Sequence, residues 1–311
     1  MTTTVDRLPQ PAQRRRLSLR AREELAAYLL ISPWIIGFLI FVAGGLLFNF
    51  GLSFFQTDLL SSAKFVGLNN YRQLLTDDRL FWQAVRVTSI YTFATVPLQT
   101  LLGLGVALLL NQKVWGIGFW RTLFYLPSVV SGVAVGMIWL WFYHPDLGLF
   151  NLLLGQLGIE GPRWLVSQRW ALPSLIFMNV WGIGTIMLIF LAGLQGIQRE
   201  YYEAARIDGA NNRQQFWAIT IPMLSPHIFY NVVLGIISSY QVFTASFVMT
   251  EGGPNNATLT LVLFLYSRAF LMARFGYAAA IAWILFLIIL VLTVFLLRSS
   301  RGTVFYEGRE E

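Results

Sequence analysis

The sequence predicts an all-α integral membrane protein of six transmembrane helices, and three observations carry that expectation. Of its 311 residues, 56% are hydrophobic and only 12% charged, where soluble domains hold roughly 25%. Six stretches free of Asp, Glu, Lys and Arg are each long enough to cross a bilayer. The basic residues flank these stretches and form no groove-sized cluster with aromatic residues on a polar domain, so the net charge of +7 points to the membrane surface and not to nucleic acid.

About 20 helical residues at ~1.5 Å rise span the ~30 Å hydrocarbon core. The chain opens with a basic tail, 1–25, carrying six Arg and, in its first 22 residues, two Pro and no apolar periodicity. The 30 uncharged residues 26–55 come next. They exceed the roughly 7–15-residue apolar core of a cleaved signal and hold a first span near 29–54. Further spans are expected near 87–110, 120–143, 172–194, 225–249 and 276–297. A polar tail, 299–311, closes the chain, leaving 26–298 as one six-span domain. The fifth uncharged stretch, 214–250, has 37 residues, but Pro222 and Pro226 break its beginning and leave room for one span. Pro33, Pro97, Pro127 and Pro173 are expected to kink spans, and Gly103, Gly105, Gly132 and Gly136 to let helices approach closely. Trp34, Trp82, Trp115, Trp120, Trp164 and Trp170 fall near predicted span ends, where amphipathic rings favour the headgroup zone.

Orientation follows from the Lys and Arg bias. With the N-terminus inside, the inner segments 1–25, 111–121, 195–222 and 298–311 carry fourteen basic residues, against eight in the outer segments 56–86, 144–169 and 250–274. Both termini are therefore placed in the cytoplasm. The chain has no Cys, which excludes disulfides, thiolate nucleophiles and Cys-ligated zinc. Its two histidines, His144 and His227, have no partner at metal-ligand spacing. No Walker motif occurs, so any ATP hydrolysis belongs to another chain.

The inner loop 195–222 is helix-forming. Ile197, Tyr201, Ala204 and Asp208 fall on one helical face. Ala204 and Ala205 have the best helix propensity, and Gly209 stands where a helix end wants a positive φ. Asn211 or Asn212 could cap a second short helix, ended by Pro222 at the membrane entrance. The result is a helix, a sharp turn and a second helix, protruding as a knob with Glu203 and Asp208 offered to a cationic partner. Three acids balance three bases here (Glu200, Glu203, Asp208; Arg199, Arg206, Arg213), which disfavours a helix lying flat on anionic lipid.

Glu203-Ala204-Ala205, three residues, Gly209, nine residues, then Ile219-Thr220-Ile221-Pro222 resembles the EAA loop of permeases in binding-protein-dependent ABC importers. The resemblance covers about residues 24–298. FVGLNNY at 65–71, Leu126-Pro127-Ser128 and Thr250-Glu251-Gly252-Gly253-Pro254 are similar to the MalF/UgpA-like carbohydrate branch, from which Glu251 departs, while Ile221 is a mild departure from the EAA loop, where the family usually has Leu. The resemblance implies a type I importer fold, with the coupling helix between the fourth and fifth spans formed by Glu203, Ala204, Ala205, Asp208 and Gly209. It implies a second permease subunit, two ATPase subunits and an extracytoplasmic solute-binding protein as partners, in a prokaryotic plasma membrane. It also implies that this chain binds no cofactor, ATP and Mg being held by the ATPases.

A substrate path needs polar groups inside the bundle. The candidates are Asn179 in the fourth span and Asn231, Ser238, Tyr240, Gln241 and Thr244 in the fifth. Asn231, Ser238 and Gln241 share one helical face, and Tyr240 could lie against the C–H face of a sugar. The alternative for the small polar residues is ordinary bonding between helices. The rival function is an ion-coupled secondary transporter, which normally carries charged side chains within its spans; here Arg121, at the edge of the span near 120–143, is the one charged residue inside the predicted bounds. An intramembrane enzyme is disfavoured because no nucleophile–base or metal constellation stands out.

Overall fold

The computed structural model describes residues 19–58, 63–112 and 115–300. Most of the N-terminal tail, all of the C-terminal tail beyond Ser300, and Lys113 lie outside the described residues. The chain divides at Gly51–Leu52 into two units, each taken by itself.

The first unit is an apolar helix, α1 (Glu23–Leu52), of 30 residues. Helical backbone already begins at Leu19, inside the segment expected as tail, and takes a wider π-helical course at Phe38–Ala43. Pro33 has no N–H to give the Leu29 carbonyl, and the preceding Ser32 hydroxyl supplies the donor instead, at 2.8 Å. Trp34 is 71% exposed.

The second unit opens with an antiparallel ribbon, β1 (Phe55–Gln56) and β2 (Lys64–Phe65), with Phe55 opposite Phe65. The 65–71 segment supplies its clasp. Gly67 turns at φ +57°, and the buried Asn70 amide donates to the carbonyls of Ser53 at 2.8 Å and Phe55 at 3.0 Å. Asp78 then caps α2 (Arg79–Leu110), accepting from the N–H groups of Leu80 at 3.0 Å and Phe81 at 3.4 Å.

The 32-residue α2 runs unbroken through Pro97. Two helical stretches after it are sharply bent. α3 (Ile117–Val129) and α4 (Gly132–Phe142) meet at 99°, and α5 (Ala171–Val180) and α6 (Gly184–Gly196) at 43°. α7 (Arg199–Ile207) precedes α8 (Asn212–Tyr240) and the short α9 (Thr244–Thr250); α10 (Leu261–Leu271) and α11 (Phe275–Ser299) complete the described chain. α1, α2, α8 and α11 are long and apolar enough to cross a bilayer, and the number becomes six if each bent pair is one span.

Three expected spans thus take a different form. The stretch 120–143 is not one rod: Val130 and Ser131 are extended, at ψ 139° and 133°, just after Pro127. The stretch 172–194 breaks at Trp181–Ile183. The stretch 225–249 is split at Gln241–Phe243, while its helix begins earlier than expected, at Asn212. Pro222 does not end a separate short helix. A π-helical turn at Phe216–Thr220 widens the backbone ahead of it, and Pro222 falls in the first turn of the helical stretch beyond, where its missing N–H is least needed. Pro226 is accommodated as Pro33 is: the Ser225 hydroxyl donates to the Pro222 carbonyl at 2.6 Å.

Packing centres on α2. Phe81 shares one buried cluster with Tyr240, Leu261, Phe264 and Ile281. Leu104 and Ala107 share another with Phe190, Leu194 and Leu224, and Tyr91 joins Trp139, Leu175 and Met249 between α4, α5 and α9. A half-buried polar knot ties α2, α10 and α11: Asp78 pairs with Arg268 at 3.3 Å and accepts the Tyr277 hydroxyl at 2.8 Å.

Candidate functional site

Two places bring together residues that the sequence singles out. The first is α7 with the turn behind it. Glu200 lies in its first turn and Arg206 in its last, each matched to the helix dipole. The end is closed by two reversed hydrogen bonds, Ala210 N–H to the Ala205 carbonyl at 2.8 Å and Gly209 N–H to the Arg206 carbonyl at 3.1 Å, with Gly209 at φ +81°. Asn211 then starts α8 with a capping box: its Oδ1 accepts from Gln214 N–H at 3.0 Å, and Gln214 Oε1 accepts from Asn211 N–H at 2.8 Å. The Tyr202 hydroxyl lies 2.9 Å from that of Thr220, pinning α7 to the base of α8.

On this knob Glu203, Ala204, Asp208 and Gly209 are exposed and Ala205 is half-buried. Ile207 is 86% exposed, a side chain that no sequence signal singles out. Ile197 does not share the helical face: it is extended, at ψ 123°, and packs below against the α2–α6–α8 core.

The second place is a cavity of about 360 Å³ where the three helix breaks converge. Pro127 and Val130 reach it from the α3–α4 bend, Asn179 and Trp181 from the α5–α6 break, and Gln241 and Phe243 from the α8–α9 break. Irregular backbone at membrane depth is tolerated where it lines such a cavity. No charged side chain lines it among the described residues.

The sequence candidates divide around this cavity. Asn179, Gln241 and Thr244 line it; Asn231, Ser238 and Tyr240 do not. Asn231 is buried and donates to the His227 carbonyl of its own helix at 3.0 Å. Ser238 is exposed and bonds back to Gly235 at 3.1 Å. Tyr240 is buried, with its hydroxyl 2.9 Å from that of Ser89. The shared face of Asn231, Ser238 and Gln241 is lost because α8 stops at Tyr240. The aromatic residues that do line the cavity are Phe243 and Trp181, and Trp181 is 41% exposed and edge-on to Trp139 at 6.0 Å between centroids. Only the structure singles them out, since sequence could not place the breaks that present them.

Residues 99–303, which include the α7 knob and every helix break lining the cavity, match the sequence pattern of the family described as binding-protein-dependent transport system inner membrane component. The chain belongs to that family. This inner membrane component is 41% identical over 304 residues to the probable ABC transporter permease YesP of Bacillus subtilis (strain 168), covering 96% of this chain and 98% of YesP. It is 33% identical over 285 residues to the trehalose/maltose transport system permease MalF of Thermococcus litoralis, covering 91% of this chain and 96% of that one. Among solved structures, it shares the fold of a chain from a bacterial ABC transporter involved in alginate import, at TM-score 0.77 and 24% identity, over 90% of this permease and 96% of that chain.

Proposed function

We propose that this permease is one half of the membrane passage of an ATP-driven carbohydrate importer, taking a sugar, oligosaccharide or glycerol-phosphate from an extracytoplasmic solute-binding protein. Counting each bent pair once gives six spans, with both termini in the cytoplasm. α7 docks in the cleft of a separate ATPase through Glu203, Ala204, Ala205, Asp208 and Gly209, while a second permease and a second ATPase complete the assembly. ATP and Mg are held by the ATPases, and this chain does no bond chemistry; it relays a rigid-body motion.

The observation that carries the reading is the joining, by one helix, of an exposed charged knob to an uncharged cavity. α8 starts at the Asn211 cap behind α7 and ends at the break that lines the cavity. Within the cavity, the amide of Gln241 and the hydroxyl of Thr244 suit sugar hydroxyls, and the Trp181 face suits sugar C–H bonds. The absence of charge among the described lining residues favours a neutral substrate over the coupling ion of a secondary transporter. Relatives named for sugar uptake, such as the trehalose/maltose permease, support the same class.

The test is uptake of a labelled sugar panel by proteoliposomes holding the whole assembly. ATP, and not an ion gradient, drives uptake. Glu203→Ala and Gly209→Pro lower uptake at least tenfold and weaken ATPase docking, with the spans intact by circular dichroism; Trp181→Ala raises KM. Normal uptake by both knob variants, with the ATPase bound, overturns the coupling role.

A further inference from the structure

Gln99, on the unbroken rod α2, reaches across to the α5–α6 break. Its Nε2 donates twice to one residue, to Asn179 Oδ1 at 2.6 Å and to the Asn179 carbonyl at 2.9 Å. Asn179 in turn donates its own amide to the buried Tyr91 hydroxyl, one long stride back along α2. The Asn179 carbonyl also takes the Gly182 N–H at 3.1 Å, so it belongs to the last turn of α5 where regular helix gives out. Both polar ends of the Asn179 side chain are thereby engaged, although the residue lines the cavity. Its part is to be held, while Gln241 and Thr244 face the space.

The opposite side of the break is blocked. At Gly184, the first residue of α6, an added Cβ would fall 2.6 Å from the Phe124 carbonyl and 2.7 Å from Tyr125 Cα, so α3 backbone lies directly against it. The break is wedged by α3 and tethered by α2. Trp181 and Gly182, which the break presents to the cavity, stand between wedge and tether.

We propose that Gln99 is a positioning residue for the passage: from the rigid rod α2 it fixes the opening of the α5–α6 break, and through it the placement of Trp181 in the cavity. The inference rests on reading that cavity as the passage. Without the Gln99 amide, the Asn179 side chain and carbonyl lose their tie to α2, so the segment Trp181–Ile183 opens more often when Gln99 cannot donate.

Because the chain has no Cys, Gly182→Cys gives a single thiol at the break, where a Cβ meets nothing closer than the Asn179 carbonyl at 3.5 Å. The full-length chain in its assembled complex is treated with a small charged thiosulfonate, and labelling of this chain is followed by mass. Gln99→Met, close in size but without a donor, raises the labelling rate about fivefold, the scale of one net hydrogen bond. Gln99→Glu, which puts a carboxylate against two carbonyl-type oxygens, raises it at least as much. Val87→Ala, a packing loss elsewhere in α2, leaves the rate within twofold. A rate unmoved by both Gln99 variants, or raised equally by Val87→Ala, overturns the inference. Sugar uptake by the labelled complex tests the other reading separately: uptake unaffected by the label removes the cavity from the path while leaving the tether standing.

Discussion

At Gly209 the backbone sits at φ +81°, and nothing lies within 4 Å of where a Cβ would stand. The residue therefore answers to a dihedral angle and not to space, and its substitutions should rank by tolerance of the left-handed region. Gly209→Asn keeps most coupled ATPase activity, whereas Gly209→Val, at a cost of about 1–2 kcal/mol or more for the strained backbone, loses it; activity in the reverse order removes the turn from the mechanism. Asp78 obeys a different rule. It caps α2 and meets Arg268, whose side chain is only 12% exposed. Asp78→Ala strands that guanidinium, at a cost of about 3–5 kcal/mol, and lowers the thermal midpoint in detergent. The double variant Asp78→Ala/Arg268→Met recovers much of the loss, and a midpoint that fails to recover points to the cap as the larger contribution.

Among elements, what distinguishes this bundle is how its interruptions are satisfied. Ser32 and Ser225 each stand just before a proline and donate to the carbonyl that the proline leaves free. Thr260, fully buried, donates to the Val242 carbonyl at 3.0 Å inside the α8–α9 break. Thr260→Val keeps the shape but leaves that carbonyl bare, which should cost about 1–3 kcal/mol and speed proteolysis near Gln241; equal protection of both proteins would show that another donor serves the break. These interruptions are where the sequence is silent. Hydropathy registers that 120–143 is apolar but is indifferent to a 99° bend between its halves. For the same reason it could not separate Gln241, at the end of α8, from Asn231 inside it, nor bring out Trp181. The α7 knob was legible because its signals are local: two alanines, a glycine at a helix end and an asparagine able to cap the next helix.

For the whole molecule, composition alone pointed to lipid as the solvent, and the long apolar helices accord with that. Orientation follows from a charge bias to which the first tail contributes most, and thiol accessibility from either side tests it directly. With no native Cys, Asn212→Cys and Ile159→Cys can be introduced singly into intact cells. An impermeant maleimide should label Ile159→Cys from outside and reach Asn212→Cys only after permeabilisation; the reverse pattern would invert the whole assignment and expose α7 on the wrong side.

The continuity of α8 has a consequence of its own. Its 29 residues make a strut of roughly 43 Å at helical rise, helical from the Asn211 box to Tyr240 with one π-helical turn at Phe216–Thr220. Such a strut resists compression, so a nudge at one tip arrives at the other nearly undiminished. In the importer proposed above, a small molecule wedged beside Gln241 would stall the distant motor without touching it.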